Sequence, residues 1–129
     1  SEIKARVQYL YDDATVRRAS VAPDLVGLQL AQVPRNSASA GIVWNHGRWS
    51  IAPQARFVGE QFEDDTNTLR LAAATLVDVS LRLTLGAGID IYLSAENLAD
   101  HRLETGRSSD GVVNLGTPRL ILLGLRLNR

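Results

Sequence analysis

Between Val77 and Leu85 every second residue is apolar: Val77, Val79, Leu81, Leu83 and Leu85 alternate with Asp78, Ser80, Arg82 and Thr84. Side chains on a strand point to opposite faces in turn, so this run specifies an extended segment with one oily and one wet face. A helix would instead repeat its apolar residues three and four apart. After Gly86-Ala87-Gly88 the alternation resumes, with Ile89, Ile91, Leu93 and Ala95 set against Asp90, Tyr92, Ser94 and Glu96. Two such runs around a glycine-rich turn predict a β-hairpin.

The same period recurs along the chain. Trp49, Ile51, Pro53, Ala55 and Phe57 alternate with Arg48, Ser50, Ala52, Gln54 and Arg56, after a turn at Asn45 to Gly47. Before that turn, Ser37 to Trp44 places Ala38, Ala40, Ile42 and Trp44 on one face. Near the start, Ile3, Ala5, Val7, Tyr9 and Tyr11 alternate with Lys4, Arg6 and Gln8. At the end, Ile121, Leu123, Leu125 and Leu127 share a face, opposed by Gly124, Arg126 and Asn128. The expected fold is therefore all-β, an antiparallel up-and-down meander of about six strands forming one sheet segment or domain over residues 1–129. Pro53, which lacks a ladder donor, is expected at an edge or bulge. Val26-Gly27-Leu28-Gln29-Leu30 and Thr68 to Ala74 fit neither period cleanly.

Composition narrows the function classes. With 45% hydrophobic and 22% charged residues and a formal net charge of +0, the 129-residue chain is neither wholly disordered nor a basic nucleic-acid module. Arg17-Arg18 and Arg35 are isolated basic spots without stacking aromatics, so no nucleic-acid partner is expected. The absence of cysteine excludes disulfides, a thiolate nucleophile and sulfur-ligated zinc. No apolar run approaches the roughly 18 residues of a spanning helix, but a membrane barrel hides its hydrophobicity in alternation.

Candidate chemistry is sparse. His46 and His101, the two histidines, each fall in a turn or loop without the serine and carboxylate of a triad. Ser108-Ser109-Asp110-Gly111 reads as turn chemistry. Glu60 and Glu63 form a carboxylate pair with no sign of a pocket that would raise a pKa. Glu63-Asp64-Asp65 offers oxygen ligands without EF-hand spacing. No catalytic, cofactor-binding or metal-ligating residue is assigned, no cofactor is expected, and the chain is read as no enzyme.

The connections alternate in length: long at about 14 to 36, short at 46 to 48, long at 60 to 74, short at 86 to 88, long at 99 to 118. Outer-membrane barrels have short turns on one side and long loops on the other, with strands of about 9 to 11 residues.

Several segments then resemble, in order and spacing, the C-terminal section of the β-barrel of TonB-dependent outer-membrane receptors. They are Gln32-Val33-Pro34-Arg35-Asn36-Ser37-Ala38, the run from Arg56 to Asn67, Leu76-Val77-Asp78-Val79, Glu96-Asn97-Leu98-Ala99-Asp100 and Leu115-Gly116-Thr117-Pro118-Arg119. The resemblance implies the last strands of a barrel of about 22 with an N-terminal plug, importing an iron chelate, cobalamin or a sugar across the bacterial outer membrane. It implies three partners: the remaining barrel and plug, outer-membrane lipid and a small nutrient ligand. On that reading Val77, Val79, Leu81, Leu83, Ile89, Ile91, Leu93, Leu123 and Leu125 meet lipid. Arg48, Arg56, Asp78, Arg82, Asp90, Glu96 and Arg126 line a wet interior, where Arg82 is expected to pair with Asp78 or Asp90.

Three features depart from the family pattern. The chain finishes Leu125-Arg126-Leu127-Asn128-Arg129 where the family has an aromatic ending. Aromatics are only 5%, thin for two interfacial girdles. Plug, coupling segment and roughly sixteen strands are missing, so a partial barrel is expected. Six strands leave two open edges, which implies completion by the rest of a receptor or self-association. The alternative reading is a soluble antiparallel β domain with a structural or binding role.

Overall fold

The computed structural model describes residues 1–127; Asn128 and Arg129, and with them the last residues of the expected final strand, lie outside the described residues. Among the described residues there are ten strands: β1 (Glu2–Tyr11), β2 (Asn36–His46), β3 (Trp49–Val58), β4 (Gln61–Phe62), β5 (Arg70–Leu71), β6 (Ala74–Gly86), β7 (Ile89–Glu96), β8 (Glu104–Arg107), β9 (Val113–Leu115) and β10 (Leu120–Leu127). The six long ones form one antiparallel sheet in the order β1-β2-β3-β6-β7-β10, each next to its chain neighbour among the long strands. The short ones pair as β4-β5 and β8-β9 within the long connections. The expected six-stranded meander is thus the observed one.

Register carries the two-faced pattern across the whole sheet. Ile3, Trp44, Ile51, Leu81, Leu93 and Leu123 stand opposite one another in turn, forming a single apolar row over six strands. The adjacent row, Glu2, Asn45, Ser50, Arg82, Tyr92 and Gly124, lies on the other face. Two-residue turns hold this register. In the β6–β7 turn Ala87 and Gly88 both take positive φ, 50° and 74°, and Gly47 at 56° opens the β2–β3 turn. Such turns twist in the same sense as the strands they join. A bulge between Thr84 and Gly86 adjusts the approach to the second turn.

Pro53 departs from expectation, lying in β3 between two neighbours instead of at an edge. The β2–β3 ladder is continuous from Ser37–Val58 to Gly41–Gln54 and resumes only at Trp44–Ile51, so the missing N–H falls in a gap between rungs. On its other side Pro53 stays in register with Val79.

No second layer covers the apolar face among the described residues. Leu123 is 76% exposed and Val7 79%, and the buried apolar side chains among the described residues are Leu71, Ala74 and Leu76, all at the long-loop end of the sheet. The accessible surface is 9101 Å². A water-soluble monomer of 14.0 kDa would expose about 6,700 Å². The excess reflects a single open sheet with both faces and both edges uncovered, the apolar face among them.

The few aromatics are concentrated where they count. Tyr9, Tyr11 and Phe57 sit on the apolar face near the long loops, and Trp44 and Trp49 on the same face near the short turns. The nine residues from Trp49 to Phe57 span about 26 Å of strand, or about 20 Å of height at a 40° tilt, close to the apolar band of an outer-membrane barrel. On the other face the Tyr92 ring lies across Gly124 of β10, so closely that a Cβ there would stand 2.2 Å from Tyr92 Cζ.

Candidate functional site

All three long connections, residues 12–35, 59–73 and 97–119, emerge at one end of the sheet, because β1 begins at the short-turn end and every following long strand reverses direction. Each is internally tied. In the first, the isolated Thr15–Gln29 bridge and the Gly27 N–H to Val16 carbonyl bond (2.8 Å) fold the ambiguous Val26–Leu30 stretch back onto residues 14–16.

The second loop turns on Asp64, whose carboxylate accepts from the Leu69 N–H (2.7 Å), the Thr68 N–H (3.0 Å) and hydroxyl (2.7 Å), and the Thr66 hydroxyl. Burial acts to raise its pKa, but these donors outweigh it and hold the carboxyl far below the ordinary range. The third loop turns on Asn97, 4% exposed. Its side chain donates to the His101 carbonyl (2.9 Å) and the Thr117 carbonyl (3.1 Å) and accepts from the His101 N–H (2.9 Å). Asp100 completes the knot by accepting from the Arg119 N–H at 3.0 Å. The Glu96–Asp100 and Gly116–Arg119 segments noted in the sequence are therefore two sides of one clasp. Its hub, Asn97, was not assigned a role from sequence, although its place in the motif was the available signal.

The loops are also tied to each other. Asn67 accepts from the Gln29 N–H (2.8 Å) and donates to its carbonyl (2.7 Å), while the Gln32 N–H reaches the Phe62 carbonyl at 2.7 Å. Glu104 accepts from the Ala72 N–H at 2.9 Å and pairs with Arg107 at 3.1 Å. The Ala72 bond leads in lowering the Glu104 pKa, with burial opposing and Arg107 adding to it. Between the second and third loops lies an open cleft of about 450 Å³, with Thr68, Arg70, Ala72, Glu104, Arg107 and Ser108 in its lining.

The polar face of the sheet forms a second concavity of about 750 Å³, floored by Ser39 and Gly41 and edged by Lys4, Arg6, Gln54 and Arg56. Asp78, Arg82, Asp90, Glu96 and Arg126 share this face, as expected from alternation. The expected pairing of Arg82 with Asp78 does not form, since both lie on β6 four residues apart. Asp78 instead accepts from Gln54 (3.0 Å) and the Asn97 N–H (2.8 Å). Asp90 accepts from the Thr84 hydroxyl at 2.7 Å.

The structure separates the other candidates. His46 stacks on Trp44 at the short-turn end, with ring centroids 5.7 Å apart, whereas His101 belongs to the Asn97 clasp at the opposite end. Glu60 pairs with Arg70, and Glu63 accepts from Gln32 at 3.2 Å. Ser108 donates to Asp110 within its turn, and Arg17 pairs with Asp13 at 3.2 Å. No group of acidic and histidine side chains with metal-binding geometry occurs among the described residues. What the arrangement offers is a wall, a polar lining and a tied rim of loops.

Comparison with known proteins gives this arrangement a family. Residues 3–98 match the family described as TonB dependent receptor-like, beta-barrel. The ferrioxamine receptor of Yersinia enterocolitica is 34% identical over 76 residues, covering 54% of this chain and 11% of that protein. Among solved structures, the siderophore receptor PiuA of Acinetobacter baumannii superposes over 97% of the chain and 19% of its own, with a TM-score of 0.81 at 17% identity. The ferric-catecholate import receptor Fiu of E. coli K12 does so over 97% and 18%, with a TM-score of 0.79 at 20% identity. These structural likenesses establish the fold, and the chain spans about a fifth or less of each relative. From the family match over 3–98, this chain belongs to the TonB-dependent receptor β-barrel family, as an outer-membrane barrel segment and not an enzyme.

Proposed function

We propose that residues 1–129 form one sheet segment, the C-terminal section of the barrel of a receptor that imports a ferric chelate through the outer membrane. The single observation that carries this reading is the sheet's asymmetry: an uncovered apolar face runs across six strands, and every long loop leaves from one rim. In this orientation the turns at Gly47 and Ala87 face the periplasm, and the rim loops face outward. Lipid covers the row through Leu81, and the remaining barrel strands and the plug complete the wall and fill its lumen. The relatives named for siderophore and ferric-catecholate traffic support the ferric chelate as cargo. The clasp from Asn97 to Arg119, leading into β10, supports the C-terminal placement.

The test is uptake by cells grown under iron limitation, with the reading frame that contains this chain intact or deleted. Loss of uptake for one radioiron-labelled chelate is the expected outcome. Retained uptake of every ferric chelate tried, with loss for cobalamin or an oligosaccharide, would overturn the cargo. Protease cleavage within 97–119 on intact cells checks the orientation.

A further inference from the structure

Charge is divided unevenly over the polar face. Two consecutive rows cross its β1–β3 half: Arg6 stands opposite Gly41, which faces Gln54, and Gln8 stands opposite Ser39, which faces Arg56. Arg6 and Arg56 therefore flank β2 from either side, about 10 Å apart across the sheet, and both border the concavity of about 750 Å³. The other polar groups of this floor already have partners. Ser39 donates to Gln8 at 3.3 Å, Gln54 donates to Asp78 at 3.0 Å, and Lys4 pairs with Glu2 at 3.1 Å. Asp78 also accepts from the Asn97 N–H, and the next carboxylates of the face, Asp90 and Glu96, lie on β7, two strands beyond β3. Among the described residues neither Arg6 nor Arg56 has a hydrogen bond or an ion pair. Gly41 deepens the floor without serving the backbone. A Cβ there would meet Gln54 Cβ at 3.5 Å and the Pro53 carbonyl oxygen at 3.7 Å, both ordinary contacts, and its φ is outside the left-handed region. A glycine inside a strand weakens it, so what this one supplies is room between the two arginines. Arg56 is two residues from the end of β3 at the loop rim, and the concavity thus opens just inside the mouth.

We propose that this concavity is an inner binding site for the cargo, and that the cargo is a ferric chelate of net negative charge, its outward carboxylate or catecholate oxygens held by Arg6 and Arg56 and its body resting over Ser39 and Gly41. Two uncompensated guanidiniums bordering one space favour an anion with oxygens on its surface. The volume falls in the range of small-molecule sites, roughly 300–1,000 Å³, of which a single plug side chain would fill only a small part. The inference rests on the receptor reading above and narrows its cargo.

The test uses the complete receptor that contains this chain, in iron-starved cells and purified, with radioiron-labelled ferric citrate, a ferric tricatecholate, a neutral ferric trihydroxamate and cationic ferrioxamine B as probes. One of the two anionic probes is expected to bind and enter, with its Kd raised about tenfold or more in R6Q/R56Q, the equivalent of one charge-assisted hydrogen bond. R6K/R56K, which keeps the charge, should restore it to within about threefold. Gly41→Leu, which fills the floor and leaves both arginines, should weaken the same probe. The melting temperature of the unliganded receptor should be the same in both arginine variants as in the wild type. Uptake of the neutral or cationic probe alone would overturn the anionic cargo and leave the receptor reading intact. Unaltered anion binding in R6Q/R56Q or in G41L would overturn the site. A lower melting temperature of the unliganded receptor in R6Q/R56Q, restored in R6K/R56K, would assign the arginines to carboxylates of the plug and overturn it as well. Uptake of none of the ferric probes would overturn the receptor reading on which the site rests.

Discussion

The sheet and its loop rim are stabilised in opposite ways. Along the sheet, long regular ladders set the shape, yet among the described residues no second layer covers the apolar side chains from Ile3 to Leu123. At the rim the ladders are two to four residues long, yet Leu71 is fully buried, and buried Gln29 and Asn97 are both hydrogen-bonded. Backbone pairing makes the wall and leaves its hydrophobic term to the surroundings. Side-chain to backbone bonds make the rim self-sufficient. A sheet of this kind is therefore sensitive to which solvent meets which face, and its rim to the loss of single polar groups.

Reversing the solvent preference of one position is the strongest way to break this contrast. Leu81→Arg, on the uncovered face, is expected to cost about 2–4 kcal/mol in urea titrations of the protein in bilayers. Ser80→Arg, one residue away on the polar face, should stay within about 0.5 kcal/mol. Equal effects would mean that the two faces do not meet different media.

A second change tests whether the wall has any side-chain lock of its own. Gly124→Ala drives a methyl into the Tyr92 ring and should destabilise by about 1–3 kcal/mol. Adding Tyr92→Ala should recover part of that loss in the same titration, since the ring is what the methyl meets.

At the rim, Asn97→Ala leaves the His101 N–H and the His101 and Thr117 carbonyls short of a partner, at a cost of about 1–3 kcal/mol local to the loop. Hydrogen exchange should quicken over 97–119 and stay unchanged in β2 and β3.

The smallest expected effect is one of pH. Folding lowers the Asp64 and Glu104 pKa values, so their ionised forms support the rim fully above the ordinary values of 3.8 and 4.5 and lose that support as the pH falls below them. Exchange in 59–73 and 97–108 should rise on acidification from 4.5 downward while the wall stays protected. D64N and E104Q should each flatten the dependence in their own loop.

The wall was legible because alternation is a property of single strands, and short turns transmit it to their neighbours. Val77–Leu85 and Ile89–Ala95 alone specify a hairpin with two unlike faces. Pro53 misled because its tolerance depends on which neighbour its nitrogen faces, and that is set by pairing with β2. The rim was less legible: Gln29 and Asn67 are 38 positions apart in the chain, and nothing local marks one as the partner of the other. The same holds for Tyr92, which alternation counts as one more polar-face residue until β10 brings a glycine beneath its ring. His46 was read as a plain turn residue, and only the strand face it shares with Trp44 gives it company.

The two-residue turns also make the molecule's tolerance to change one-sided. Deleting Ala87 would shift β7 by one position and turn it inside out, sending Asp90 toward the hydrocarbon and Ile91 toward the lumen. Ten residues added near Ser109, in a long and exposed connection, would lengthen a loop and leave each strand facing as before. Descendants of such a chain are free to vary in length at the long-loop end of the sheet while the short-turn end is held to a fixed residue count.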